Sequence, residues 1–456
     1  MSAPVLDMSL VPPLGEPRPA LVPEVHETTL PNGLRLVVVP RPGVPLVELR
    51  LRIPFAATAR TAAAHTARAS VLTGAVLMGT AAHDQLEIAQ LLQAQGGEMS
   101  VSDDADRLLF STTMLPTGLG PVLGVLAELL TSATYPGGQV QAERDRVVER
   151  IEIARSQPRV IAGTALATRR YGAHPYGQQL PSAALVAGVT PAALRKLHRE
   201  RVRPAGSTLV LVGDVDPAAA ADLVGSALAG WTTEGTAVTA PPVPPTPAQL
   251  LQLVHRPGAV QSNLRLGGRA PGRTDPQLPA LRLASMVFGG YFSSRLVENI
   301  RERRGYTYSP RSGVEHLLAG STFTVEADVA TGVTGPALME TVYELSRMAL
   351  TPVTEAELDS ARRYLLGTMA LGTATHGGLA STLSALFGAG LSAEWLAEHQ
   401  RALLTVGIDE VTEASRQWLA PSALTAVVVG DADQVTDQLR VLGPVEVGAP
   451  AAEAQP

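Results

Sequence analysis

The chain has 456 residues, 45% of them hydrophobic and 17% charged, with a net charge of −6 and no cysteine. That composition belongs to a globular protein with ample core for two or more domains. It excludes disulfide and thiolate chemistry, and with no basic cluster it argues against a nucleic-acid surface.

Residues 1–24 carry Asp7 and several prolines where a signal peptide needs a charged start and an apolar run. They read as a flexible, Pro-rich leader of a soluble, cytoplasmic protein, since no apolar stretch is long enough to span a bilayer. NGLRLVVVPR and VELRLRIPF follow as apolar strands separated by the turn PGVP. ARASVLTGAVLMGT reads as a helix, and HDQLEIAQLLQAQ as a second one stopped by Gly96-Gly97. EMSVSDDADRLLFSTTML is a strand pair or one long strand, LGPVLGVLAELLTSA an apolar helix, and QVQAERDRVVERIEIARSQ a long charged helix with a thin buried stripe. LVLVGDV closes the first half as a strand.

The chain then repeats itself. Arg41-Pro42-Gly43 recurs as Arg256-Pro257-Gly258, and STLVLVGDVDP, with Gly213-Asp214, recurs at nearly the same offset as ALTAVVVGDAD, with Gly430-Asp431. A helix precedes each closing strand, VTPAALRKLHRERV in one half and IDEVTEASRQWL in the other. The Pro-dense stretch 232–249 reads as an extended linker between them. The expected layout is a first domain over 25–231, a second over 250–445 and a flexible tail over 446–456. The fold class is α+β: two homologous halves, each a mixed or antiparallel sheet with helices packed on one face, forming a clam-shell.

In the second half, FGGYFSSRLVENIRERRGYTYSP spans residues 288–310. Ser293–Arg303 reads as a helix, Gly305 as its stop, and Tyr306-Thr307-Tyr308 as a return to strand. Such a turn brings the Arg301 guanidinium and the Tyr308 hydroxyl toward one space, two donors suited to a carbonyl oxygen or oxyanion. The bland alternative is a solvated helix charge beside a half-buried aromatic.

This block resembles the second half of pitrilysin/insulinase-family zinc peptidases. Pro31-Asn32-Gly33-Leu34, the helix ending Met78-Gly79-Thr80 and His174-Pro175-Tyr176-Gly177 extend the resemblance over most of the chain. The family carries an inverted zinc motif, His-x-x-Glu-His, on a first-half helix, with a further Glu ligand from a later helix. The Gly-Thr ending fixes the register. It puts the first His on Ser70, the Glu on Thr73 and the second His on Gly74, and within ERDRVVERIEIAR the best ungapped match puts the distal Glu on Arg150. Ser, Thr and Gly offer weak ligands or none, and Arg150 is a cation that could replace the metal's charge. No His in the chain has Glu three residues on and His four on.

The resemblance therefore implies a chain that holds no metal and no cofactor of its own. It would be the non-zinc-binding subunit of a heterodimeric endopeptidase, with zinc in the partner and Arg301 and Tyr308 binding peptide substrate. Alone it could form a homodimer. A scaffold or peptide-binding protein without proteolytic role is the alternative, and a single-chain peptidase with unorthodox ligands a third reading. Weaker candidates have plainer roles: His65 as a surface or loop residue, His83 and Glu87 as a helix pair, Asp103, Asp104 and Asp106 as a solvated turn or strand edge rather than a cation site, and His174-Pro-Tyr-Gly as a loop.

Overall fold

Twelve strands carry the architecture, and the computed structural model describes residues 15, 23–232, 235, 238–245 and 251–448. The first half supplies β1 (His26–Thr29), β2 (Arg35–Pro40), β3 (Val47–Pro54), β4 (Met99–Asp103), β5 (Arg107–Met114) and β6 (Thr208–Gly213). The second supplies β7 (Leu251–His255), β8 (Gln261–Ala270), β9 (Arg311–Leu317), β10 (Gly320–Ala330), β11 (Leu424–Gly430) and β12 (Val445–Gly448). The sheets run β1-β2-β6-β3-β5-β4 and β12-β7-β11-β8-β10-β9. From β2 and β7 inward the two orders are the same, and β2–β6 and β7–β11 are the matching parallel pairs in otherwise antiparallel neighbourhoods. Only the outer edges differ, β1 antiparallel to β2 and β12 parallel to β7.

The duplicated Arg-Pro-Gly is a duplicated joint. Arg41 N donates to Gly213 O at 2.7 Å, and Arg256 N to Gly430 O at 2.8 Å. Each side chain then reaches into the other half, Arg41 to the carbonyls of Thr373 and Ala374 and Arg256 to that of Ser156.

Those carbonyls precede two helices that change sides. The helix Pro158–Tyr171 leaves the first half and packs on β8 and β11, while the helix His376–Gly388 leaves the second and packs on β3 and β6. On the first sheet Val37, Val39, Val210 and Val212 meet Leu379, Leu383 and Phe387. On the second, Val254, Val427 and Val429 meet Ala162 and Leu166. The opposite faces of the same strands, Leu36, Val38, Leu209 and Leu211 in one sheet and Leu253, Leu264 and Val428 in the other, pack under each half's own helices. The unbroken run Leu36–Val39 is therefore apolar because both of its faces are covered. On β3 the pattern alternates instead. Leu49, Leu51 and Ile53 enter the core, while Glu48, Arg50 and Arg52 face Gly377, Ser381 and Gly388 of the incoming helix. Each half thus packs its own helices on one sheet face and receives one helix from its twin on the other.

Other differences from the sequence reading are local. His65 lies within the helix Ala62–Ala75, its ring 4.8 Å from that of Phe55, and is not a loop residue. His83 pairs with Glu128 at 2.9 Å, because Glu87 is committed to a capping box with Asp84. Asp106 is buried, not solvated, and with the His-Pro-Tyr-Gly loop it joins the halves. Its carboxylate accepts from Tyr176 Oη and from Leu318 N, both at 2.9 Å, and His174 Nε2 bonds Pro241 O in the linker. The linker residues 238–245 run without helix or strand, and β12 carries the second sheet to Gly448, past the boundary at 445. The leader other than residues 15, 23 and 24, several linker positions, and the tail from 449 lie outside the described residues. Among those described, no helix is long and apolar enough to cross a membrane.

Candidate functional site

The helix Ala62–Ala75 carries Ser70, Thr73 and Gly74 and packs along the helix Gly137–Ser156. Both hydroxyls turn back on their own helix: Ser70 Oγ donates to Ala67 O at 3.0 Å and Thr73 Oγ1 to Ser70 O at 3.2 Å. Gly74 lies flush against Glu143, where a Cβ would fall 2.3 Å from Oε1. Glu143 is 3% exposed, and two arginines on its own helix hold it. Arg150 Nη2 donates to Oε1 at 3.0 Å, and Arg146 takes the other oxygen.

Glu143 is the residue that the sequence reading missed, because register alone points to Arg150. It was legible in one respect: it sits on the buried stripe of an otherwise charged helix, with Val140, Val147 and Ile151. A buried carboxylate on an apolar stripe needs a counter-charge, and Arg150, two turns on, supplies one. The donor set at the expected zinc position is therefore two helix-bonded hydroxyls, a glycine and a carboxylate neutralised by guanidinium groups. It does not fit Zn²⁺, which needs open lone pairs from imidazole, carboxylate or thiolate.

Gly74→Ala tests this packing. The new methyl group forces the Glu143 carboxylate off its two partners, and overpacking of this kind costs about 1–3 kcal/mol. The midpoint of thermal unfolding is expected to fall, and Gly74→Ala with Glu143→Gln to lose less than the two single changes added together.

Among the described residues the one cluster with metal-ligand spacing is elsewhere, at His255, Asp431 and Asp433. Two of its three residues, His255 and Asp431, are already engaged at the start of the helix Ala432–Arg440. His255 Nδ1 accepts from Ala432 N, Asp431 Oδ1 from Asp433 N, and Asp431 Oδ2 from Gly258 N and Gln434 Nε2.

In the second half the helix Leu278–Ser285 runs into a π turn over Met286–Gly290, and a second π segment covers Val297–Arg303. Helical structure begins at Arg295 rather than Ser293. Leu296 and Ile300 point into the core and Gly305 ends the segment at φ 65°. The buried side is bolted down. Arg295 forks onto Glu357 at 2.7 and 2.9 Å, and Asn299 Nδ2 donates to Glu340 and Glu344, both at 2.9 Å. Thr307 Oγ1 reaches Asp328 O at 2.6 Å and sends Tyr308 outward, where it is 80% exposed.

Arg301 is held between two aromatic rings, its guanidinium carbon 4.9 Å from the centre of Phe292 and 4.7 Å from that of Tyr308. Nε pairs with Glu302 at 3.1 Å. Among the described residues, neither Nη nor the Tyr308 hydroxyl has a hydrogen-bond partner. The turn therefore does bring guanidinium and phenol together, as a stacked pair on the surface. The rings fix the direction of the cation while its outer N–H groups stay open.

The anchor behind this pair is pH-dependent. The hydrogen bonds from Arg295 hold the Glu357 carboxyl at about 2, well below its ordinary value. A carboxyl lowered on folding stabilises above its unfolded pKa and loses that contribution as pH falls through the folded one. Glu357→Gln is expected to cost about 1–2 kcal/mol at pH 7, less than the full shift because solvent screens the partly exposed carboxylate. Denaturant melts should show the gap to wild type closing between about pH 4.5 and pH 2.

A duplicated α+β chain with a first-half helix in metallopeptidase register and an Arg/Tyr turn in the second half defines a peptidase-type fold without the metal-binding set. Residues 69–183 match the model of the insulinase family (peptidase family M16), and residues 188–365 match that of the peptidase M16 inactive domain. The chain belongs to the insulinase, or M16, family. An uncharacterized zinc protease of Mycobacterium tuberculosis is 28% identical over 363 residues, 78% of this chain and 82% of that protein. One from Bacillus subtilis is 22% identical over 412 residues, covering 89% and 98%. Among solved structures, a peptidase M16 inactive domain from Pseudomonas fluorescens superposes with a TM-score of 0.82 at 22% identity, over 89% of this chain and 98% of that one. A protease from Helicobacter pylori gives 0.82 at 19%, over 90% and 99%.

Proposed function

We propose that this chain is the zinc-less subunit of a two-chain metalloendopeptidase, joined to a family member that carries His-x-x-Glu-His and its zinc. In this reading Arg301 and Tyr308 bind the peptide backbone beside the scissile bond. The observation that carries it is the contrast between the two halves. The Ser70/Thr73/Gly74 position is closed by Glu143 and its arginines, while Arg301 and Tyr308 keep their donors open on a rigidly backed turn. A carbonyl under attack gains negative charge, and donors aimed at that oxygen stabilise it even from another chain. Without its partner the chain is inactive, and self-association gives at most an inactive homodimer.

The test is to mix the purified chain with a family member that carries the zinc motif, then follow complex formation and cleavage of an unfolded peptide. Chelator-sensitive cleavage by the mixture, with neither chain active alone, is the expected result. A stable complex whose zinc-bearing chain cuts equally fast by itself makes this chain a scaffold instead.

A further inference from the structure

Between the helix Leu278–Ser285, β9 and the incoming helix His376–Gly388 lies a cavity of about 300 Å³. Its charged lining is cationic. Arg273 and Arg282 face it together with His316, and none of its lining residues is acidic. Neither guanidinium has a carboxylate partner among the described residues. Arg282 donates to the neutral ring nitrogen of His399 at 2.8 Å and touches Met369 Sδ at 3.6 Å, and the Arg273 side chain makes no hydrogen bond. Burial lowers both guanidinium groups, and Arg273 adds its repulsion to bring Arg282 to about 10. The same surroundings bring His316 to about 4 and His399 to about 3, so neither ring carries charge near neutrality.

Val314, Leu386, Leu396 and the Trp395 ring, which stacks on His399 at 4.6 Å, make most of the remaining wall apolar, and the hydroxyls of Thr373 and Thr382 are turned to the carbonyls of Met369 and Gly378. A second cavity of about 500 Å³ shares Arg273 and His316 and opens toward Arg52 and Arg107. Its two acids are engaged, Asp104 with Arg107 at 2.8 Å and Asp106 with Tyr176 and Leu318. Negative charge is thus available beside the outer cavity but not within the inner one.

Two half-buried guanidinium groups that line one cavity without a counter-charge repel each other, and a bound anion relieves both. A fully hydrated anion gains little from hydrocarbon walls. We propose that the inner cavity binds a carboxylate carried on a small branched apolar group, the carboxylate between Arg273 and Arg282 and the apolar body against Trp395 and Leu386. A free short-chain acid and the C-terminal residue of a peptide share that chemistry. The site stands apart from Arg301 and Tyr308, neither of which lines it.

Trp395 makes the test direct. Titrating the full chain with 4-methylpentanoate is expected to change tryptophan fluorescence to saturation, with no response to 4-methylpentanamide and none to the acid in Trp395→Phe. Arg273→Gln and Arg282→Gln should each weaken binding at least about tenfold, the effect of losing one charge-assisted hydrogen bond. Thr382→Met fills the cavity from the incoming helix and leaves both arginines in place, so loss of binding there supports the site even if an arginine variant fails to fold. Glycyl-leucine with a free carboxylate, set against its C-terminal amide, separates the sources. Tighter binding of the dipeptide than of the free acid identifies a peptide terminus, and the reverse a metabolic acid. No saturable binding, equal binding by inorganic phosphate, or undiminished binding in folded variants overturns the proposal.

Discussion

Arg301→Ala, assembled with a zinc-bearing partner, is expected to lower kcat on an unfolded peptide by about two to three orders of magnitude, the usual cost of one well-placed oxyanion donor. Tyr308→Phe should lose a comparable factor for a different reason. Phenylalanine keeps the ring that stacks on Arg301, at 4.7 Å in the native chain, and removes only the hydroxyl. If the tyrosine did no more than steer the guanidinium, the phenylalanine variant would stay within a few-fold of wild type. Neither change should alter the fold. Tyr308 is exposed, and an exposed cation–π contact contributes about 0.5–1 kcal/mol, so thermal midpoints should scarcely move. Arg301→Lys separates charge from geometry. An ammonium keeps the charge but lacks the planar fork, and partial recovery at most is expected. A few-fold loss in both Arg301→Ala and Tyr308→Phe, in a complex that forms normally, removes these residues from the chemistry and leaves a structural subunit.

The duplication could be read directly because its landmarks do backbone work. Arg-Pro-Gly and Gly-Asp recur because each closing strand hydrogen-bonds back to the same joint, and the sheet orders follow from that shared pattern. The Arg301 turn was readable from Gly305 and the apolar spacing of Leu296 and Ile300. The π geometry of that segment left no mark in the spacing, and neither did the turn over residues 291–294 that delays its start by two residues. Glu143 escaped for a different reason. Register fixes which residue occupies a family position, but not which neighbour moves in once that residue has changed. The covering of both sheet faces was written in the unbroken run Leu36–Val39, yet nothing along one strand says which half supplies the second cover.

That exchange dictates the largest expected loss of stability. Leu383 is fully buried on the His376–Gly388 helix, against Val37, Val39, Val210 and Val212 of the other half. Leu383→Asp puts a carboxylate among those valines, all at 2% exposure or less. Charged side chains on that face are already engaged: Arg50 pairs with Glu48 at 2.8 Å, and Arg35, stacked on Phe387 at 4.5 Å, pairs with Glu27 at 2.6 Å. Loss of the leucine alone costs about 2–5 kcal/mol, and the unpaired charge adds several more. Since a domain's whole stability is about 5–15 kcal/mol, the variant should fail to fold or unfold well below wild type. Leu383→Ala, with only the cavity cost, should fold with a lowered midpoint. Because the first sheet depends on a helix from the second half, both halves should melt together. Two separate transitions in wild type, or a Leu383→Asp chain whose first half stays native, would mean that each half is stable without its twin's helix.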